Sequence, residues 1–228
     1  MSVDKFYPIA LSISELDEKI TNELTSGGFN LKQTVWGTSI CSDEVNNSLN
    51  TLSAHFAGPG PFRFGGISGF PFAGNTGMRA FASHIPDDGA AFIIYGPHIG
   101  VSKNGELGVM LRENQSNTSS CCGSLVGAVG ALNDDATPEL NSEDYQQSSV
   151  LAMLKPHANE IISADAPIYE ATEFSYQKAQ ARMKEMIAAN EDILSGLKVY
   201  LVGGILINTD WDTEDYFDIR DTEIIELS

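Results

Sequence analysis

Basic side chains, cysteines and long apolar runs are all scarce in this sequence. Its 228 residues carry 13 Lys and Arg against 31 Asp and Glu, a formal net charge of −18. A surface that negative repels phosphate backbones and anionic lipid, which argues against nucleic acid and acidic membrane as partners. The cysteines number 3, at positions 41, 121 and 122. They cannot all pair within one chain, and a bridge between adjacent cysteines is strained and rare. A disulfide framework is therefore not expected, and a reducing compartment fits better. No apolar run approaches the ~18–20 residues that a membrane span needs. Met1–Pro8 lacks the apolar segment of a secretory signal. Cytoplasm or an organelle stroma is the expected location.

Hydrophobic residues make up 42% of the chain, enough for a sizeable core, and the length suits one domain over residues 1–228. Ser12 with Glu15 predicts a capping box, followed by Leu16, Ile20 and Leu24 at helical spacing and a stop at Gly27-Gly28. Part of Leu31–Ile40 reads as a strand and Asp43–His55 as a helix. Met78–His84 predicts a short helix. Ala90–Gly96 and Lys198–Asn208 are continuous apolar runs, the pattern of strands buried on both faces. Gly100–Arg112 reads as a hairpin turning at Lys103-Asn104-Gly105. Helices are expected at Cys121–Leu132, Glu143–Leu154 and Glu173–Leu194. Asp215–Glu226 reads as an acidic tail with at most a short strand, and the acid of Asp134–Asp144 and Asp210–Glu226 as solvated surface. The alternation predicts an α/β fold, a central mostly parallel sheet flanked by helices.

Three residues stand where such a sheet gathers its chemistry. Cys41 falls at the expected end of a strand, His98 just after the buried strand on a Pro97 turn, and Cys122 at the start of a helix. Two Cys and one His are suitable ligands for zinc with an open fourth position, and a thiol at a helix N-terminus ionises more readily. The plainer alternative is packing, since Cys behaves as a small hydrophobe. No CxxC or HxxxH is present to support a metal by spacing alone. The stretch Gly58–Gly77 is rich in Gly and Pro yet holds Phe62, Phe64, Phe70 and Phe72, which flexible linkers seldom carry. It reads as a structured loop whose backbone packs closely on a neighbour.

The stretch GGISGFPFAGNTGMRAFASHIPDDGAAFIIYGPHIGVSKNGELGVMLRENQSNTSSCCGSLVGA, with CSDEVN at Cys41–Asn46, resembles the limiting-CO2-inducible protein B/C family, also described as theta-class carbonic anhydrase. The resemblance implies a beta-carbonic-anhydrase-like fold, a zinc held by two Cys and one His, a nearby Asp–Arg pair and a homodimer. Cys41 matches the first cysteine ligand, Asp43 the aspartate, His98 in GPHIG the histidine and Cys122 the second cysteine. Arg79, in TGMRAF, is taken as the arginine. The family's Cys-Gly-Ala is Cys-Gly-Ser here, and Cys121 stands one step from the preferred ligand as its rival. His84 rivals His98, or else lines the pocket. Phe70 and Phe72 would supply an apolar wall for CO2, a substrate with little need of hydrogen bonds. The expected activity is interconversion of CO2 and bicarbonate, with zinc lowering the pKa of its water to roughly 7. Asp43 would accept the water proton and Arg79 would hold Asp43 ionised. The alternative is a non-catalytic or partner-dependent subunit of the same fold in inorganic carbon handling.

Overall fold

The computed structural model describes residues 2–226. Strand β1 (Leu11–Ser12) leads into helix α1 (Ile13–Ser26), where the Ser12 hydroxyl accepts from the Glu15 N–H and the Glu15 carboxylate accepts from the Ser12 N–H. Leu16, Ile20 and Leu24 line its buried face, and Gly27 caps its end. Strand β2 (Thr34–Ser39) follows, then a 3-10 helix over Glu44–Ala54 in place of the α-helix expected there. Strand β3 (Ala57–Arg63) takes up the start of the Gly- and Pro-rich stretch, and α2 (Gly74–Ala82) closes it. Strand β4 (Ala90–Tyr95) is buried throughout. It continues through Gly96-Pro97 into the short strand β5 (His98–Gly100).

Strands β6 (Val109–Met110) and β7 (Ser119–Ser120) form a small antiparallel ribbon. Helices α3 (Gly123–Asn133), α4 (Tyr145–Leu154), α5 (Ala158–Ser163), α6 (Pro167–Ala188) and α7 (Glu191–Leu194) come next, then strands β8 (Lys198–Asn208) and β9 (Tyr216–Glu226).

The main sheet has seven strands in the order β1-β9-β8-β4-β2-β3, with β5 also on β8. Strands β3, β2, β4, β5 and β8 run parallel, while β9 and β1 are antiparallel at one edge. The period-two pattern of β4 sends Ala91, Ile93 and Tyr95 into one core with Met78 and Phe81 of α2 and Met183 and Met186 of α6. Phe92 and Ile94 face a second core with Trp36, Leu16, Ile20, Leu24 and Leu52. Both faces of the sheet are covered, as the unbroken apolar runs predict. A third apolar cluster, built from α3, α4, α5 and α6, takes in Cys41 and Cys122.

The step from β4 to β5 is set by Gly96. Its φ is +147°, and a Cβ there would lie 1.7 Å from the Gly204 carbonyl oxygen, so only glycine lets the chain pass this close to β8. β5 then rejoins β8, pairing His98 with Leu206 and Gly100 with Asn208.

Three further expectations change on the structure. The helix predicted at Glu173–Leu194 starts earlier, because Pro167 at its first turn supplies a fixed helical φ and needs no hydrogen-bond partner for nitrogen. It stops at Ala188, and buried Asn190 separates it from α7. The acidic end is no tail. β9 spans 11 residues, with Phe217 and Ile219 packed in the second core. Its acid is partly interior: Asp218 is buried beside Arg220, and Asp221 accepts from the Tyr95 and Tyr176 hydroxyls. The hairpin predicted at Gly100–Arg112 keeps its turn, with the Gly105 N–H donating to the Ser102 carbonyl, but only the Val101–Leu107 bridge joins its arms.

Candidate metal centre

Three chain segments meet at the C-terminal ends of the parallel strands. The first leaves β2 and carries Cys41 and Asp43. Asn46 Nδ2 donates to the Cys41 carbonyl at 3.1 Å, which fixes the backbone at that cysteine. Asp43 caps the 3-10 helix, its Oδ1 accepting from the Val45 N–H. The second segment is β5, which buries His98 completely. The third arrives through the β6–β7 ribbon. The Cys121 N–H donates to the Gly108 carbonyl at 2.8 Å, and the Gly100 N–H donates to the Cys121 carbonyl at 2.6 Å. Cys122 then caps α3, its carbonyl accepting from the Val126 N–H at 3.0 Å. The Cys121–Cys122 peptide is cis.

Cys41, His98 and Cys122 are all buried, and one donor atom from each lies within 4.8 Å of the other two. Asp43, His98 and Cys121 make a second set under the same limit. The hydrogen bonds of His98 tell the sets apart. His98 Nδ1 is 2.7 Å from Asn208 Oδ1, and the Cys121 sulfur lies on that same side, 3.6 Å from Nδ1. Nε2 has no hydrogen-bond partner although it is buried. An imidazole engaged at Nδ1 and open at Nε2 has one nitrogen left for a metal. Cys121 shares the engaged Nδ1 side, which leaves Cys41 and Cys122 as the set for the open nitrogen to serve, and none of the cysteines is in a disulfide.

The three donors set one another's protonation. A hydrogen bond from the Cys41 thiol, with the Leu125 and Ser124 N–H groups at the start of α3, pulls the Cys122 thiol below its usual value against the effect of burial. The same contact with Cys122, and burial, push the Cys41 thiol up. Burial disfavours charge on His98, but its contacts with Cys121 and Cys41 outweigh that and raise it. The donors, two soft thiols and one imidazole, suit a tetrahedral d10 ion.

Asp43 is held ionised beside the cluster. Burial works against its charge, but its contact with the Glu44 side chain, the charges of His98 and Arg112 and the Val45 N–H prevail and lower its pKa. The arginine on Asp43 is Arg112. One guanidinium nitrogen lies 2.9 Å from Asp43 Oδ2 and 3.2 Å from Oδ1. Nε donates to Glu44 at 3.1 Å, and the remaining nitrogen donates to the Ser119 hydroxyl and to the Ser120 carbonyl. Arg112 thereby ties the Cys41 segment to the strand that delivers Cys122.

Arg79, taken from the sequence as the partner of Asp43, is elsewhere. It is an exposed residue of α2 and pairs with Asp192 at 3.2 Å. His84 is also apart from the cluster; it is exposed and its ring packs edge-on to Phe62 at 5.8 Å. Phe72 packs against the apolar cluster that contains Cys41 and Cys122, and Phe70 sits edge-on to Phe72 at 5.0 Å. The Gly-rich loop does press on the strand ends. Gly69 has φ +78°, a Cβ on it would fall 2.1 Å from the Gly96 carbonyl oxygen, and its own carbonyl accepts from the Ser39 hydroxyl at 2.9 Å.

Sequence reasoning missed Arg112 and Asn208. Arg112 lies between the two halves of the ribbon leading to Cys121 and Cys122, which puts it at the same end of the sheet as Cys41, His98 and Cys122. Asn208 is the one polar residue at the C-terminal end of the apolar run Tyr200–Asn208, opposite β5. A buried amide beside the histidine strand was the available signal.

Comparison with known proteins settles the family. The family described as limiting CO2-inducible proteins B/C, beta carbonic anhydrases, matches residues 10–226. The chain belongs to this family. The crystal structure of PtLCIB4, a homolog of the limiting CO2-inducible protein LCIB, is similar at 33% identity over 100% of this chain and 95% of that one, with a TM-score of 0.93. The crystal structure of LCIB itself is 17% identical over 98% of this chain and 97% of that one, with a TM-score of 0.73, a likeness of fold. No curated protein matches the chain. A carbonic-anhydrase-related role follows from the family. No helix among the described residues is long and apolar enough to cross a membrane.

Proposed function

We propose that this chain is a zinc carbonic anhydrase that interconverts CO2 and bicarbonate, formed as one zinc-binding domain over residues 1–228 and acting as a homodimer. The observation that carries the reading is the convergence of Cys41, His98 and Cys122 within 4.8 Å, with an ionised Asp43 held at their side by Arg112. Zinc at this site supplies Lewis acidity that makes water a nucleophile near neutral pH.

The chain's own residues do the rest. The thiolates of Cys41 and Cys122 and the Nε2 of His98 would hold the ion. Two negative sulfurs would offset the charge of a divalent ion and weaken it as an acidifier, so an acceptor for the proton of the reacting water would help. Asp43 offers a carboxylate oxygen for that proton. Arg112 keeps that carboxylate charged and turned toward the site, and keeps it from swinging onto the ligands. Phe72, with Phe70 against it, gives the site an apolar border suited to a nonpolar substrate.

Two variants test the parts separately. Cys41→Ala is expected to take up no zinc; wild-type zinc content in that protein overturns the ligand assignment. Asp43→Ala is expected to keep its zinc and lose CO2 hydration by ~10²-fold or more, the usual scale for a positioned base. Unchanged turnover there removes Asp43 from the mechanism.

A further inference from the structure

Behind His98 lies a second row of buried polar groups that the zinc ligands and Asp43 do not account for. Asn208, at the end of β8, is fully buried. Its Nδ2 donates to Asp215 Oδ2 at 3.2 Å and to the Val45 carbonyl at 3.4 Å. Both partners are acceptors, so the amide must turn its nitrogen to them and its oxygen to His98. The remaining contacts hold Asp215 in that role. Its Oδ1 accepts from the Thr209 N–H at 3.0 Å, its Oδ2 from the Ser48 hydroxyl at 2.8 Å, and its backbone carbonyl from the Ile13 N–H at 3.1 Å.

The consequence reaches the imidazole. An amide oxygen 2.7 Å from Nδ1 requires the ring hydrogen on Nδ1, and the Cys121 sulfur, 3.5 Å from the same oxygen, points its weak donor there too. In the neutral ring, the form that can bind a metal, Nε2 is then left with its lone pair, and it is the ring atom without a partner.

We infer that Asn208, anchored by Asp215, is a positioning residue that fixes His98 in its Nδ1–H form and so presents Nε2 to zinc, with Cys121 serving on this outer side of the ring and Cys122 as the ligand. The inference rests on the zinc reading proposed above. An outer partner of this kind orients the ring and strengthens it as a ligand, and its loss typically costs ~10–100-fold in metal affinity. Asp215 and Ser48 also line a surface cavity of 640 Å³ with Trp211 and Arg112.

The test uses histidine-labelled protein loaded with zinc. A two-bond proton–nitrogen spectrum of wild type is expected to show His98 with its hydrogen on Nδ1. Asn208→Ala is expected to lose the hydrogen-bonded Nδ1–H resonance and to bind zinc ~10–100-fold more weakly in a chelator competition. A purely structural role would lower the melting temperature of Asn208→Ala and leave its zinc affinity where it was, which overturns the inference. A wild-type His98 carrying its hydrogen on Nε2 also overturns it, and needs no variant to fold. Failure of the underlying reading looks different: wild type itself then takes up no zinc, or Cys41→Ala binds it as tightly.

Discussion

Asp43 has to stay charged while half-buried, and the residue that makes this possible is the one the sequence did not single out. Arg79 and Arg112 are both in the stretch that resembles the family, but only Arg112 reaches the carboxylate. Arg112→Ala is expected to cut CO2 hydration by ~10²-fold or more, whereas Arg79→Ala, which removes one exposed ion pair, is expected to change neither turnover nor stability by more than about 1 kcal/mol. The reverse order of effects contradicts the assignment. A pH dependence follows from the lowered carboxyl. A carboxylate depressed on folding stabilises the native state above its ordinary value of 3.8, and that contribution is lost as pH falls through the lower folded value. Wild type is therefore expected to exceed Asp43→Asn in stability at pH 5–7, with the gap closing below pH 3.8. A gap independent of pH contradicts it. The convergence of Cys41, His98 and Cys122 was legible because each sits where a strand ends or a helix begins. Arg112 and Asn208 were not, because their importance comes from neighbours about 69 and 110 positions away in the chain.

At the scale of elements, the site depends on two glycines pressed together. Gly69 and Gly96 bring the Gly-rich loop against the end of β4, just before His98. Gly69→Ala puts a side chain on a left-handed backbone and against a carbonyl oxygen. It is expected to lower stability by about 1–3 kcal/mol in a denaturant titration and to weaken zinc binding with it. Full stability in that variant contradicts the close approach. The elements legible from sequence were those with one clear period: α1 with its capping box and helical stripe, and β4 and β8 as unbroken apolar runs. β9 was hidden because its inward Phe217 and Ile219 are interspersed with Asp218, Arg220 and Asp221, whose charges meet partners in the fold: Asp218 pairs with Arg220, Arg220 with Glu173 of α6, and Asp221 accepts from Tyr95. The break between α6 and α7 was hidden because apolar spacing continues through Asn190, and only its buried amide, donating to the Met186 carbonyl at 2.7 Å, marks the stop.

For the whole molecule, charge and chemistry pull apart. The net charge of −18 is a repulsive load on the compact state, and some of it is interior: burial raises Glu173 and Asp218, which share Arg220. Screening by salt is expected to raise the melting temperature between 0.05 and 0.5 M NaCl by about 2–4 °C, the shift per kcal/mol for a chain of this size. A fall over that range contradicts the load. CO2 is uncharged and indifferent to this field, which is consistent with an apolar border at Phe72. The most direct test of the account is stopped-flow CO2 hydration by the purified, zinc-loaded protein beside its Cys41→Ala variant. Hydration well above the buffer rate in wild type, absent in the variant and abolished by a zinc-binding inhibitor, is the predicted result. A zinc-loaded wild type that hydrates CO2 no faster than buffer contradicts the enzyme and leaves a family fold whose metal centre serves another end.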